Sequence, residues 1–127
     1  MKLRIKGNSV RLRVTRSEVS QLLTEGRIEE VVYFTADGQS RLTYALERSD
    51  AVSGTQLLTR PQEVAIVLPA KAAASWAEGT EVGVYATVDL GLRGSLELMV
   101  EKDFACLDLS DAENVDTFPN PNAGASC

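Results

Sequence analysis

The chain contains two stretches with the same order of sequence patterns, and this repeat restricts its fold more than any other feature. A shift of 54 positions places residues 3–6 over 57–60 and residues 42–48 over 96–102. Few residues are identical, so the agreement lies in the order and spacing of apolar and polar positions. We interpret the pattern as an internal duplication.

The first half begins with two alternating stretches joined by turn residues. In residues 2–6, Leu3 and Ile5 alternate with cations, a pattern typical of a half-buried strand. Gly7-Asn8-Ser9 favours a turn, and residues 10–14 alternate again. These patterns predict a β-hairpin at the start of the chain.

Each half then contains a short helical stretch that ends before a glycine. Residues 16–25 and 70–78 carry apolar residues at helical spacing. Thr15 followed by Glu18 predicts a capping box at the start of the first helix. Trp76 belongs to the apolar stripe of the second helix, and we predict that it lies in the core.

These elements predict an α+β, mainly antiparallel fold made of two strand-strand-helix-strand-strand repeats. Neither half can cover its own sheet face, so we expect the halves to associate around a pseudo-two-fold axis. The expected product is a curled sheet or a closed β-barrel with two short helices. Residues 1–104 would form one domain of two related halves, 1–49 and 56–104, and residues 105–127 a partly flexible C-terminal extension.

The composition excludes several classes of function. Histidine is absent from the 127 residues, which removes Ser-His-Asp and Cys-His catalytic sites and the usual zinc sites. The net charge of −5 argues against general affinity for nucleic acid. No apolar run approaches the roughly 20 residues of a membrane span. We therefore expect a cytoplasmic protein with free thiols at Cys106 and Cys127, a disulfide between them being the alternative.

The first predicted hairpin has the most distinctive charge pattern. Its five cations can project from one sheet face, because strand residues two apart share a side. The cations are Lys2, Arg4, Lys6, Arg11 and Arg13. The equivalent positions of the second half are Gln56, Leu58, Arg60, Ala65 and Val67. The cluster suits binding of phosphates or carboxylates, and the alternative is a solvated face neutralised by acidic neighbours.

Acidic residues share a face of the last predicted strand. They are Glu97, Glu101 and Asp103, and Glu47 occupies the position equivalent to Glu101. If these carboxylates face the first hairpin across a polar interior, the two groups could hold a metal ion and a polyphosphate. They could equally form a ladder of cross-strand salt bridges. Glu47, Glu97 and Glu101 join the five cations as candidate ligand-binding residues, whereas we assign no catalytic residue, no metal and no cofactor.

Most of the chain resembles a known family. The residues that carry the resemblance are 1–13, 101–107 and Phe118-Pro119-Asn120-Pro121. They are similar to a family of small uncharacterised bacterial proteins. That family is a domain of unknown function, so the resemblance implies no activity.

Residues 1–48 also resemble the swapped-hairpin DNA-binding domain of AbrB-type regulators and antitoxins. The resemblance is carried by residues 5–9 and 12–14, followed by a helix, Gly26 and two strands. It implies DNA contacts by Lys6, Asn8, Ser9, Arg11 and Arg13. The second half lacks the matching cations, and the whole chain is acidic, which does not fit a symmetric DNA-binding protein.

The duplicated hairpin–helix–hairpin plan more faintly resembles the CYTH triphosphate-tunnel enzymes. That family carries a Glu-x-Glu-x-Lys strand near its N-terminus. Here the first strand has no glutamate, and the last predicted strand offers only Glu97, Glu101 and Lys102. The architecture is therefore similar, but the catalytic residues are not carried over.

Together these observations favour a non-catalytic binding module. Its basic hairpin would bind an anionic small molecule or an acidic protein partner, with neither nucleic acid nor a membrane as partner. The alternatives are a DNA-binding regulator of the swapped-hairpin type and a metal-dependent phosphohydrolase similar to the triphosphate-tunnel enzymes.

Overall fold

A computed structural model of the chain describes residues 1–104 and 116–119. The strands are β1 (Lys2–Ile5), β2 (Ser9–Val14), β3 (Arg27–Tyr33), β4 (Arg41–Ser49), β5 (Gln56–Arg60), β6 (Glu63–Pro69), β7 (Gly83–Asp89) and β8 (Ser95–Lys102). The helices are α1 (Arg16–Glu25) and α2 (Ala70–Glu78), and a 3₁₀ turn spans Gly91–Arg93. The predicted α+β class, mainly β with two helices, is confirmed. Cys106 and Cys127, with most of the predicted extension, lie outside the described residues.

The eight strands form two mixed four-stranded sheets. The first sheet has the order β1-β2-β8-β7, and the second has the order β3-β4-β6-β5. Each sheet therefore combines one hairpin from each half of the chain. In the first sheet β2 runs parallel to β8, with Ser9 opposite Glu97. In the second, β6 runs parallel to β4, with Glu63 opposite Thr43, so both registers follow the same shift of 54 positions.

The predicted closed barrel is wrong, and so is the single curled sheet. The inner strands of the hairpins pair with each other, β2 with β8 and β4 with β6, and this pairing builds two separate sheets. Within residues 1–104, the outer strands β1, β3, β5 and β7 each pair on one side only. The sheets stay open because no ladder of hydrogen bonds joins these outer strands.

Both sheets and both helices contribute to one apolar core. Its fully buried large side chains include Leu12, Leu22, Leu46, Ile66, Trp76 and Leu98. Trp76 is 1% exposed, as predicted, and its indole N–H donates to the Val82 carbonyl oxygen over 3.2 Å. The interior shared by the two sheets is therefore apolar, and the polar interior considered above is not found there.

The helix ends are stabilised by caps and by cations. The predicted capping box of Thr15 and Glu18 is present at the start of α1. At the end of α1, the Arg48 guanidinium donates to the carbonyl oxygens of Leu22 and Leu23 over 3.1 and 2.9 Å. At the end of α2, the Lys102 ammonium donates to the Gly79 carbonyl oxygen over 2.9 Å. Positive charge at a helix C-terminus is stabilising. Arg48 of β4 and Lys102 of β8, which are equivalent in the repeat, therefore stabilise the ends of α1 and α2 in the same way.

Residues 116–119 contact the domain. The Phe118 backbone N–H donates to the Asp103 carbonyl oxygen over 2.8 Å, and the Phe118 ring meets the Phe104 ring edge-to-face at 6.1 Å between centroids. The Asp116 carboxylate accepts a hydrogen bond from the backbone N–H of Ser17 at the start of α1. No helix among the described residues has the length and apolar character needed to cross a membrane.

Candidate functional site on the first sheet

The cations of the first hairpin lie on the outer face of the first sheet. In β2 the residues Val10, Leu12 and Val14 are buried, so the alternating Arg11 and Arg13 point outward. Lys2 lies opposite Arg13, and Arg4 lies opposite Arg11. Lys6 follows β1 and lines the same surface as Arg4 and Arg11. We call this surface the basic face, defined by Lys2, Arg4, Lys6, Arg11 and Arg13.

Like charges stand directly opposite each other on the basic face. The pairs are Lys2 with Arg13 and Arg4 with Arg11. Like charges on residues directly opposite each other in neighbouring strands are destabilising. Such a placement opposes the stability of the sheet wherever neighbouring carboxylates do not compensate it.

A depression of about 200 Å³ lies on the basic face. It is lined by Arg4, Lys6, Ser9, Arg11 and Met99. The turn at its end is fixed locally, because Gly7 has a φ of 55° and the Ser9 hydroxyl donates to the Lys6 carbonyl oxygen over 2.5 Å. The depression thus combines three cations with one apolar side chain.

Two of the five cations are paired with carboxylates. The Lys2 ammonium lies 3.1 Å from an oxygen of the mostly buried Asp103, and the Arg11 guanidinium lies 3.4 Å from an oxygen of Glu101. Within residues 1–104 and 116–119, no carboxylate forms an ion pair with Arg4, Lys6 or Arg13. In this part of the chain, three of the five cations are therefore without a salt bridge.

The carboxylates of β8 lie beside the cations, in the same sheet face. Glu97 is opposite Ser9 and Glu101 is opposite Arg13 across the parallel β2–β8 pair. The expectation that these carboxylates face the hairpin across an interior is therefore wrong, because the buried side of β8 carries Leu98 and Val100.

Both carboxylates accept hydrogen bonds from hydroxyl groups of β7. The Tyr85 hydroxyl donates to Glu101 over 2.8 Å, and the Thr87 hydroxyl donates to Glu97 over 2.9 Å. Burial, followed by the hydrogen bond to Glu101, raises the pKa of Tyr85 to about 12. The phenol therefore remains a hydrogen-bond donor at neutral pH.

Glu47 lies on the other sheet and is not brought to the basic face. On the outer face of the second sheet, the Arg27 guanidinium contacts Glu47 at 2.7 Å, Glu63 at 2.8 Å and Glu29 at 3.2 Å. Arg60 also pairs with Glu63. We call this group the Arg27 cluster, defined by Arg27, Glu29, Glu47, Arg60 and Glu63.

The donor set of a metal–polyphosphate site is not assembled among the described residues. In that part of the chain, no three acidic or cysteine side chains come together where they could hold a metal ion. Glu97 and Glu101 are engaged with hydroxyl groups instead. The arrangement on the first sheet is suited to holding an anion.

A comparison with protein families assigns the chain. The model of a family of unknown function, DUF7009, matches residues 1–122. The chain belongs to DUF7009. This confirms the resemblance to an uncharacterised family. No curated protein and no solved structure matches this DUF7009 member.

Sequence reasoning missed three residues of the site in this DUF7009 member. Met99 lines the depression, and Tyr85 and Thr87 hold the two carboxylates of β8. Alternation along β7 was a usable signal, because the partly buried Val84, Ala86 and Val88 place Tyr85 and Thr87 on the opposite face. Their contacts with β8 additionally required the register of the β7–β8 hairpin.

Proposed function

We propose that this protein is a non-catalytic binding module whose basic face holds an anionic group of phosphate or carboxylate type. One observation carries the proposal: three cations surround the 200 Å³ depression, and two of them, Arg4 and Lys6, have no ion pair among the described residues. Guanidinium groups bind such oxyanions through paired N–H donors, and an ammonium adds a point charge.

The charge arrangement supports ligand binding over a purely structural role. A structural salt-bridge ladder would place opposite charges across the strands, as the Arg27 cluster does with Arg27 opposite Glu47. The basic face has such a pair only towards β8, where Arg11 contacts Glu101, and it places Arg4 opposite Arg11 towards β1. An anion in the depression would relieve this repulsion, so its binding should stabilise the folded chain.

We further propose that the two halves, residues 1–49 and 56–104, arose by duplication and form one domain around an approximate two-fold axis. Equivalent registers in the two sheets support this proposal, and so do the equivalent positions of Arg48 and Lys102. A crystal structure in which the two halves fail to superimpose would overturn it.

The test of anion binding uses inorganic triphosphate and citrate as probes at low ionic strength. We expect each probe to raise the melting temperature of the full chain. In the double variant Arg4→Ala and Lys6→Ala the apparent affinity should fall by at least about 10-fold, because each charge-assisted hydrogen bond contributes roughly 1.5–3 kcal/mol.

A matched control removes the same two types of charge elsewhere. Arg93 and Lys71 are exposed and lie outside the basic face, so Arg93→Ala with Lys71→Ala should leave the affinity within about two-fold. Equal losses in the two double variants would show that the probes respond only to net charge, and the proposal would then be wrong.

A second candidate function, DNA binding, is favoured by one observation. The two halves exchange hairpins between the sheets, which is similar to the arrangement that the AbrB resemblance implies. Against it, the Asn8 amide already donates to the Ser95 carbonyl oxygen over 2.6 Å. If the protein binds DNA in this way, it should retain duplexes of mixed sequence at low salt. The logarithm of its affinity should then fall steeply and linearly with the logarithm of the salt concentration.

A further inference from the structure

We propose that the partner of the basic face is a peptide segment of alternating acidic and apolar residues, which binds along the free edge of β1 and adds a fifth strand to the first sheet. The inference rests on the proposed function, because the basic face supplies the attraction. It goes beyond that function by naming the partner and the way it docks.

The first step concerns the backbone of β1. Within the part of the chain that the structure describes, β1 pairs with β2 and with no other strand. In an antiparallel pair, alternate residues direct their N–H and C=O groups away from the partner strand. An edge strand therefore presents a row of donors and acceptors that can pair with an added strand.

The second step concerns the charges beside that edge. Lys2 and Arg4 are exposed on the outer face of β1, and Lys6 continues the same alternation. Residues two apart along a strand are separated by roughly 6.6–6.8 Å. Acidic residues at alternate positions of an added strand have the same spacing, so each carboxylate would lie beside one cation.

The third step concerns the opposite face of β1. Ile5 is 62% exposed, and Leu3 is partly buried against the core. The apolar residues of an alternating peptide would lie on this side and cover the Ile5 side chain. A nucleic acid or a polyphosphate chain has neither backbone groups that extend a sheet nor apolar side chains at this spacing, so the three features together favour a peptide.

The other edges of the two sheets lack this combination. The edge strand β7 carries no Lys or Arg and ends at Asp89. The edge strand β3 carries Glu29 and Glu30, which would repel an acidic peptide. The edge strand β5 carries the single cation Arg60, so only one carboxylate of an added strand would lie beside a cation there. Antiparallel pairing of β1 with the β1 of a second copy would bring their cations together, so the charge pattern also disfavours that occupant.

The test measures binding of a fluorescein-labelled, N-acetylated peptide of sequence Glu-Val-Glu-Val-Glu to the full chain by fluorescence anisotropy at low ionic strength. The comparison peptide, Val-Glu-Glu-Glu-Val, exchanges Glu and Val at positions 1 and 2 and again at positions 4 and 5. It has the same three acidic residues and two valines but no alternation. We expect the alternating peptide to bind at least about 10-fold more tightly. N-methylation of one alternate set of its backbone nitrogens should abolish binding, whereas methylation of the other set should not.

Variants separate the edge from the charge. Ile5→Ser should lower the affinity for the alternating peptide at least about five-fold and leave the affinity for inorganic triphosphate unchanged, because only the peptide covers Ile5. Arg4→Gln should lower the affinity for both ligands. Leu92→Ser and Arg93→Gln are matched controls at exposed positions of another turn, and they should leave both affinities unchanged.

The outcomes distinguish the two proposals. If triphosphate binds but the two peptides bind equally, the strand-addition inference is overturned and the proposed function stands. If neither triphosphate nor peptide binds, both are wrong. If sedimentation shows that the protein alone forms dimers and Ile5→Ser dissociates them, the edge pairs with a second copy, and the peptide assignment is overturned.

Discussion

The outer faces of the two sheets share a backbone plan but differ in charge balance. On the second sheet, the Arg27 cluster joins every one of its three carboxylates to a guanidinium. On the first sheet, Arg4, Lys6 and Arg13 have no ion pair among the described residues. Equivalent registers therefore carry a cluster in which every charge is paired on one sheet, and three cations without a salt bridge among the described residues on the other.

One part of the difference lies in the residues that face Glu47 and its equivalent, Glu101, across the outer hairpins. Arg27 stands opposite Glu47 in the second sheet, whereas Gly83 stands opposite Glu101 in the first. Without a side chain at position 83, the Tyr85 hydroxyl lies above the glycine and donates to Glu101. The comparison teaches that a few outer-face positions set the charge balance, while the fold and the core tolerate either result.

The largest expected effect comes from adding a side chain at Gly83, where the surrounding atoms are close. A Cβ atom there would lie 2.5 Å from the Val100 carbonyl oxygen and 3.0 Å from the Tyr85 hydroxyl. We expect Gly83→Ala to lower the free energy of unfolding by about 2–3 kcal/mol, since the backbone of β8 would have to shift. Urea denaturation followed by Trp76 fluorescence measures this change.

A matched glycine provides the control for that prediction. Gly54 lies in open space, with nothing within 4 Å of an added Cβ atom. Gly54→Ala should be neutral or stabilise the chain by up to about 1 kcal/mol, because it restricts the unfolded state. Equal losses at the two positions would mean that the close approach at Gly83 does not limit the first sheet.

Breaking the Arg27 cluster should have the next largest effect. Arg27→Ala removes the cation shared by three carboxylates and should lower the free energy of unfolding by roughly 1–2 kcal/mol at pH 7, because the cluster is only partly shielded from water. The same substitution at the exposed Arg93 should change it by less than about 0.5 kcal/mol. Urea denaturation of both variants checks the contrast.

The contribution of the cluster should also depend on pH. The Arg60 hydrogen bond, followed by that of Arg27, holds the pKa of Glu63 below its usual value of 4.5. A lowered native pKa stabilises the folded chain above the unfolded pKa, and this gain is lost as pH falls through the native pKa. The difference between the parent chain and Arg27→Ala should therefore shrink below pH 4.5. A difference that stays constant on acidification would remove Glu63 from the explanation.

The elements were predictable from the sequence because their signals are local. The bounds of α1 and α2 agree with the predicted helices, since the capping box at Thr15 and the final glycines lie beside the residues they affect. The closed barrel was not correctly predicted. A repeat indicates that the halves associate, but ladders between outer strands depend on packing that no short pattern encodes.

The candidate site was predictable in part for the same reason. Period-two alternation correctly placed Arg11 and Arg13 on one face of β2. The position of Glu101 beside Arg13 depends on the parallel β2–β8 pair, which joins residues nearly 90 positions apart. The separation of Glu47 onto the second sheet has the same origin, because it follows from which hairpins pair.

The hydrogen bond between Tyr85 and Glu101 gives a spectroscopic test of the first sheet. Burial first, and then Glu101, raises the pKa of Tyr85 to about 12. In Glu101→Gln the charge is removed while burial remains, so the pKa of Tyr85 should fall but stay above 10. Alkaline titration of the absorbance at 295 nm measures it.

Tyr44 serves as an internal reference in that titration. Burial and Glu30 raise its pKa to about 12, independently of Glu101. In Glu101→Gln the pKa of Tyr85 should therefore fall, whereas that of Tyr44 should not change. In the parent chain, stabilisation from these raised values is complete below pH 10 and is lost as pH rises towards 12. An unchanged titration in the variant would show that the Tyr85 hydroxyl does not depend on Glu101.

The smallest effect is the most direct comparison of the two faces, because it predicts opposite signs. Arg4→Gln removes one of two like charges that face each other, so it should raise the free energy of unfolding by about 0.3–0.5 kcal/mol at low salt. Arg60→Gln on the second sheet removes a partner of Glu63 and should lower it by a similar amount. Both effects should fade in about 1 M salt, where charges are screened within roughly 3 Å. A loss of stability in both variants would mean that Arg4 is already compensated in the folded chain, and the basic face would then hold no surplus charge for an anionic partner to neutralise.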